Sequence, residues 1–228
     1  MKPSSRIGII GAGTMGAGIA LVAATSGFEV ALIDTKDDLV ARGMQRVMSG
    51  LQREVDKERM TGDDRDTALG RISTGTAVET LTASDLVIEA VVESFDAKAQ
   101  VLRQVADVVD GAAILATNTS SISVTALAAT VPYPERFAGM HFFNPVPVLK
   151  LVEVVRGLQT SDATAATIRE VAERMGKTPV EVADMPGFAA NRILIPMINE
   201  AIFAVADGVA SAEEIDTVMT LGASHPMG

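Results

Sequence analysis

A chain of 228 residues with 48% hydrophobic and 21% charged residues has the size and balance of one sizeable α/β domain plus a smaller appendage. Its formal charge of −10 at pH 7 disfavours nucleic acid as a partner, because the phosphates would be repelled overall. The absence of cysteine excludes disulfides, thiol nucleophiles and cysteine metal sites.

Met1–Ser5 leads into a strand with no apolar signal segment, and no run is suited to spanning a bilayer. The apolar stretch Ile193–Val205 is broken by Pro196, Asn199 and Glu200 and reads as a buried helix, so the expected location is the cytoplasm. Short β-branched runs alternate with amphipathic helices, the pattern of parallel strands joined by crossover helices. Strand Arg6–Ala12 is followed by helix Thr14–Ser26, closed by Gly27; strand Glu29–Asp34 by a long helix from Lys36 to Arg59. Strands Asp85–Val91 and Ala113–Asn118 flank a helical stretch, Phe95–Val109. Strands Phe137–Phe143, Leu151–Val155 and Pro179–Ala183 complete a sheet of seven or eight, with helix Ala163–Met175 before the last. The expected fold is α/β, a Rossmann-like doubly wound sheet over residues 1–185. From Pro186–Gly187 the pattern turns wholly helical, so residues 186–228 form an all-helical C-terminal domain.

Gly11-Ala12-Gly13-Thr14-Met15-Gly16 follows the first strand directly and opens the first helix. Gly11 suits a tight turn, Gly13 a close approach of backbone to pyrophosphate, and Gly16 close helix–strand packing. The helix start offers free N–H groups to phosphates. Asp34, ending the second strand, can accept both ribose hydroxyls and would repel a 2′-phosphate, so the expected cofactor is NAD rather than NADP. Thr117-Asn118-Thr119-Ser120-Ser121 ends a parallel strand, where polar side chains face the ligand crevice; one serine could instead cap the helix Ile122–Ala129. His141, one of two histidines, lies in an apolar strand, and Glu153 interrupts another apolar run. A carboxylate beside an imidazole fixes its tautomer and raises its basicity, as a general base requires. A structural histidine and an exposed edge-strand glutamate are the plainer alternatives. Arg42, Arg46, Arg53 and Lys57 share one face of the long helix, either a solvated face or a seat for a phosphorylated ligand.

These motifs together resemble the 3-hydroxyacyl-CoA dehydrogenases, especially the bacterial 3-hydroxybutyryl-CoA type. The matching segments are Gly11–Gly16, Asn118–Ser121, His141–Pro145, Lys150–Glu153, Pro186–Arg192 and His225–Gly228, in order along the chain. The resemblance implies interconversion of 3-hydroxyacyl-CoA and 3-oxoacyl-CoA with NAD, in fatty-acid or butanoate metabolism. It makes His141 the base, Glu153 its orienting partner, and Ser120 and Asn191 the groups on the reacting oxygen and thioester. It places Glu93, Lys98 and Asn118 beside Asp34 around the cofactor, and Arg53 and Lys57 on the CoA. Members of the family continue past His-Pro-Met-Gly, so the helical domain is expected to be shortened here. Helix 188–205 carries Ile193, Leu194, Ile195, Met197, Ile198, Ile202, Phe203 and Val205 around nearly its whole circumference, so it is expected to be covered by a second subunit, in a homodimer through these helices, or by residues missing from this chain. A dehydrogenase of a free hydroxy acid and an NAD-binding relative without turnover remain as alternatives.

Overall fold

The computed structural model describes residues 6–228, so the expected entry of Met1–Ser5 into the first strand lies outside the described residues. In chain order the elements are β1 (Arg6–Ile10), α1 (Thr14–Thr25), β2 (Glu29–Ile33), α2 (Asp37–Asp56), α3 (Gly62–Gly70) and β3 (Ile72–Gly75). There follow β4 (Leu86–Glu89), α4 (Phe95–Ala106), β5 (Ile114–Thr117), α5 (Val124–Ala128) and β6 (Phe137–Phe142). The last are β7 (Leu151–Arg156), α6 (Asp162–Arg174), β8 (Thr178–Ala183), α7 (Ala190–Ala206) and α8 (Ala212–Thr217). All eight strands join one sheet in the order β3-β2-β1-β4-β5-β6-β7-β8.

Alternation along the central strands divides the core between the two faces of this sheet. Ile7, Ile9, Val30, Leu32, Leu86 and Ile88 point to one side, against α1, α2 and α6. Ile10, Ala31, Ile33, Val87 and Leu115 point to the other, against α4 and α5. A strand buried on both faces must be apolar throughout, which is why these segments read as continuous hydrophobic runs. Truncating one such residue, as in Ile9→Ala, falls in the class that costs about 2–5 kcal/mol. In α2, Val40, Val47 and Leu51 face the sheet while Arg42, Arg46 and Arg53, with Lys57 just past its end, are exposed, so the basic stripe points outward as its spacing implies.

Two features depart from the expected sheet. The all-parallel pattern fails at one junction: β6 and β7 pair antiparallel, and β8 then runs parallel to β7. The reason is length, since a parallel crossover needs a dozen or more residues and only residues 143–150 link β6 to β7. The chain between α2 and β4, given no elements above, contains α3 and β3. Helix α3 starts at a capping box in which Thr61 and Asp64 satisfy each other's backbone N–H groups.

The chain divides into two compact units, one ending at Phe188 and the other beginning at Ala189. The second unit is wholly helical, made of α7, α8 and a single π turn over Val218–Gly222. Helix α7 contains Pro196, and none of its residues is buried. No described helix is long and apolar enough to cross a membrane.

Candidate active site

Strand β1 pairs with β2 on one side and β4 on the other, so the direction of winding reverses beside it. A crevice opens at such a switch point, outside the carboxyl ends of the strands. Gly11, at the end of β1, has φ +97°, and a Cβ there would lie 2.5 Å from the Ala90 carbonyl oxygen. A Cβ on Gly16 would lie 1.7 Å from the Gly11 carbonyl oxygen, so α1 reaches the turn only without a side chain. At Gly13 a Cβ would meet nothing within 4 Å, which leaves backbone open on the crevice side. No side chain caps α1 and no acid occupies its first turn. Its N–H groups, at Thr14, Met15 and Gly16, therefore suit an anion. Asp34 closes the turn from β2: Oδ2 accepts from Ala12 N–H at 2.8 Å and Oδ1 from Thr35 N–H at 2.7 Å. A dinucleotide pyrophosphate and an unphosphorylated adenosine ribose fit this set.

The carboxyl ends of β4 and β5 carry a second set. Glu89 ends an apolar strand, Leu-Val-Ile-Glu, and is fully buried. It accepts from Lys98 Nζ at 2.8 Å, Val91 N–H at 2.7 Å and the Thr117 hydroxyl at 2.6 Å. Lys98 is 1% exposed and stands between Glu89 and Glu93, the latter at 3.2 Å. Glu93 Oε1 accepts from the Thr119 hydroxyl at 2.5 Å, Ser120 N–H at 2.9 Å and the Ser120 hydroxyl at 3.2 Å. Burial pushes the Glu93 carboxyl up, but the Thr119 and Ser120 hydrogen bonds and the Lys98 ammonium outweigh it and hold the group below its usual range. Ser123 is the residue that caps α5, so capping does not account for Ser120 or Ser121. Thr119 belongs to the polar cluster expected at the end of β5, whereas Glu89 is an addition, although an acid at the end of a buried strand beside the glycine turn was a readable signal.

His141 and Glu153 face each other directly in the antiparallel register of β6 and β7. Nδ1 of His141 lies 2.8 Å from Glu153 Oε2, with His141 6% and Glu153 1% exposed. With a carboxylate at Nδ1, the imidazole proton sits there and Nε2 keeps its lone pair. Glu153 is therefore a buried partner of the imidazole rather than an exposed edge residue. Asn118 fixes the backbone beside this pair, its Oδ1 accepting from Phe142 N–H at 2.9 Å. The first unit thus carries the glycine turn, Asp34, Glu93, Lys98, Asn118 and Ser120 at and beyond the carboxyl ends of β1, β2, β4 and β5, with His141 and Glu153 in the neighbouring β6 and β7. Asn191 lies in the first turn of α7, in the second unit.

A groove of about 280 Å³ runs between α1, α2 and the residues after β6. Gln45, Arg46, Ser49 and Arg53 line one side and Asn144–Pro147 the other, while Lys57 is not part of the lining. Lys177, also unforeseen, donates to the carbonyl oxygens of Val146 and, at 2.8 Å, Leu149, and so pins this loop. Burial, with the nearby Lys150, pushes the Lys177 ammonium below its usual range.

The family described as 3-hydroxyacyl-CoA dehydrogenase, NAD binding domain, matches residues 6–185, and its C-terminal domain matches residues 187–228. A probable 3-hydroxybutyryl-CoA dehydrogenase of Deinococcus radiodurans is 49% identical over 98% of this chain and 80% of its own length. The mitochondrial hydroxyacyl-coenzyme A dehydrogenase of Sus scrofa is 42% identical over 96% of this chain and 72% of its own. The crystal structure of (S)-3-hydroxybutyryl-CoA dehydrogenase from Ralstonia eutropha superposes with a TM-score of 0.97 at 49% identity, covering 99% of this chain and 80% of that one. An NAD-type crevice, a buried imidazole–carboxylate pair at its edge and family matches that together run from residue 6 to residue 228 lead to one conclusion: the chain belongs to the 3-hydroxyacyl-CoA dehydrogenase family.

Proposed function

We propose that His141 is the general base of an NAD-dependent interconversion of 3-hydroxyacyl-CoA and 3-oxoacyl-CoA, with 3-hydroxybutyryl-CoA and acetoacetyl-CoA as the substrate pair. The observation that carries this reading is the 2.8 Å contact of His141 Nδ1 with the buried Glu153 carboxylate. Bound nicotinamide supplies the hydride chemistry. His141 Nε2 takes the hydroxyl proton in the oxidative direction and returns it to the oxygen in the reductive one. Glu153 holds the tautomer and offsets the positive charge that develops on the ring. Ser120 and Asn191 bind the reacting oxygen and the thioester region. Gly11–Gly16 and Asp34 hold the pyrophosphate and ribose, and Glu93, backed by Lys98, lines the cofactor side with Asn118.

Acetoacetyl-CoA-dependent oxidation of NADH is the direct assay. His141→Gln should lower turnover by about 10²–10⁴ while leaving NADH affinity nearly intact, and Glu153→Gln should impair the same step. Near-normal turnover in His141→Gln would remove the imidazole from the reaction.

In the same reading residues 1–185 are the NAD-binding domain, and the helical residues 186–228 carry Asn191 and a homodimer interface. The working site is the cytoplasm. The CoA end lies along α2, with Arg53 and Lys57. Because Arg53 lines the groove and Lys57 does not, Arg53→Glu should raise the KM for acetoacetyl-CoA more than Lys57→Glu. Neither should change NADH affinity; equal KM values for both variants and the unmodified protein would mark the stripe as a solvated face.

A further inference from the structure

The segment after β8 holds a backbone conformation that a side chain resists. Gly187 has φ +79° and Phe188 has φ +49°, and the second is an outlier for a bulky residue. Such conformations persist where the surroundings over-determine them, and they cluster at functional sites. Five hydrogen bonds supply that determination. Asp184 accepts from the Ser123 hydroxyl at 2.8 Å, Val124 N–H at 3.0 Å and Thr125 N–H at 2.7 Å, tying the segment to the start of α5. Asp184 N–H donates to the Arg156 carbonyl at 3.1 Å, and Phe188 N–H closes a turn onto Met185 O at 2.8 Å. The Phe188 side chain, 4% exposed, is thereby delivered to His141, with ring centroids 5.8 Å apart and planes tilted by 59°. Phe143 meets the same imidazole at 4.5 Å with a tilt of 44°.

A single hydrogen bond at Nδ1 limits turning of the imidazole about Cβ–Cγ but tolerates a range of ring tilts, because hydrogen bonds are broad in angle. Two aromatic rings in contact with it narrow that range. We propose that Phe188 is a positioning residue: its left-handed backbone and aromatic ring set the plane of the His141 imidazole, and hence the direction of Nε2. The proposal rests on the reading of His141 as the base, and it assigns the strained turn a purpose in the reaction rather than in closing the core alone.

The chain has only two histidines, His141 and His225, so the imidazole ring protons can be followed by NMR in the cofactor-free protein, with His141→Gln as the assignment control. Phe188→Leu keeps an apolar side chain and the same backbone strain but removes the ring. Loss of the Phe188 ring current moves the His141 resonances in any case, so the ring plane is read from nuclear Overhauser contacts: those between the His141 ring protons and Phe143 should change in Phe188→Leu, with the contacts of His225 unchanged. Turnover with acetoacetyl-CoA should fall about 10- to 100-fold, the scale of a misplaced reacting group, with the KM for acetoacetyl-CoA and the NADH dissociation constant unchanged. Phe188→Met, equally ringless and more pliable, carries the same test if the leucine variant does not fold. Unchanged Overhauser contacts between His141 and Phe143, or normal turnover alongside an inactive His141→Gln, would overturn the positioning role alone. An active His141→Gln would overturn the base reading and the proposal built on it.

Discussion

Lys98 shows how one residue can hold two carboxylates in place. Its ammonium is 1% exposed, Glu89 on one side is fully buried, and Glu93 on the other reaches the serine cluster. Removing one member of a buried ion pair strands the other, at a cost of about 3–5 kcal/mol, whereas replacing both by apolar residues is often close to neutral. Lys98→Met should therefore lower unfolding stability in urea by that amount, and Glu89→Met added to it should recover part of the loss. Recovery would be incomplete because Val91 N–H and the Thr117 hydroxyl also lose their acceptor. An unchanged denaturation midpoint in Lys98→Met would show that this pair does not hold the corner. At this scale the sequence exposes residues whose type conflicts with their setting: an acid in an apolar strand at Glu153, a histidine in another, an acid closing β2. It conceals the reason for the setting. Glu89 satisfies the same criterion as Glu153, but its partner Lys98 sits on a helix, and nothing in the spacing alone pairs them. Asp184 and Lys177 act mainly on backbone groups, which carry no residue-specific signature to read.

Among the elements, the glycine turn is the one whose geometry follows most directly from its residues. The steric limits at Gly11 and Gly16 come from backbone oxygens, which cannot rotate away as a side chain can. Gly16→Ala should consequently cost at least about 2 kcal/mol, as overpacking does, and abolish NADH binding measured by fluorescence titration. Gly62→Ala, at the start of α3 where a Cβ meets nothing within 4 Å, is the matched control and should leave both properties unchanged or slightly improve stability. Equal behaviour of the two variants would contradict the packing just described. The strongly patterned elements, β1, α1, β2 and α2 above all, are legible because burial on all sides enforces a continuous apolar run in the first three and burial of one stripe enforces a period in α2. Helix α3 is short and polar, and β3 offers a single large apolar residue, Ile72, so neither generates a period to detect. The reversal at β7 was hidden for another reason: strand composition does not encode direction, and only the length of the 143–150 link does.

On the scale of the whole chain, α7 is the surface on which the proposed dimer is tested. Ile193, Ile195, Ile198, Ile202 and Phe203 are between 45% and 70% exposed, more apolar surface than a monomer commonly leaves in water. Light scattering coupled to size exclusion should give the mass of a dimer or larger, and Ile202→Glu should shift it towards the monomer. A well-behaved monomer of 23.8 kDa would contradict the proposed interface. The antiparallel pairing of β6 with β7 carries a different consequence, for how sequence change is tolerated. His141 meets Glu153 because the strands align with Phe142 opposite Val152 and Met140 opposite Val154. Side chains alternate faces along a strand, so a slip of one position would set a valine against the imidazole and send the carboxylate to the far side of the sheet. Insertions or deletions inside β7 should thus be as damaging as replacing Glu153 itself, even when every residue of the pair is retained. The contact is specified by counting along the chain as much as by identity, and length variation has only the 143–150 loop in which to be absorbed.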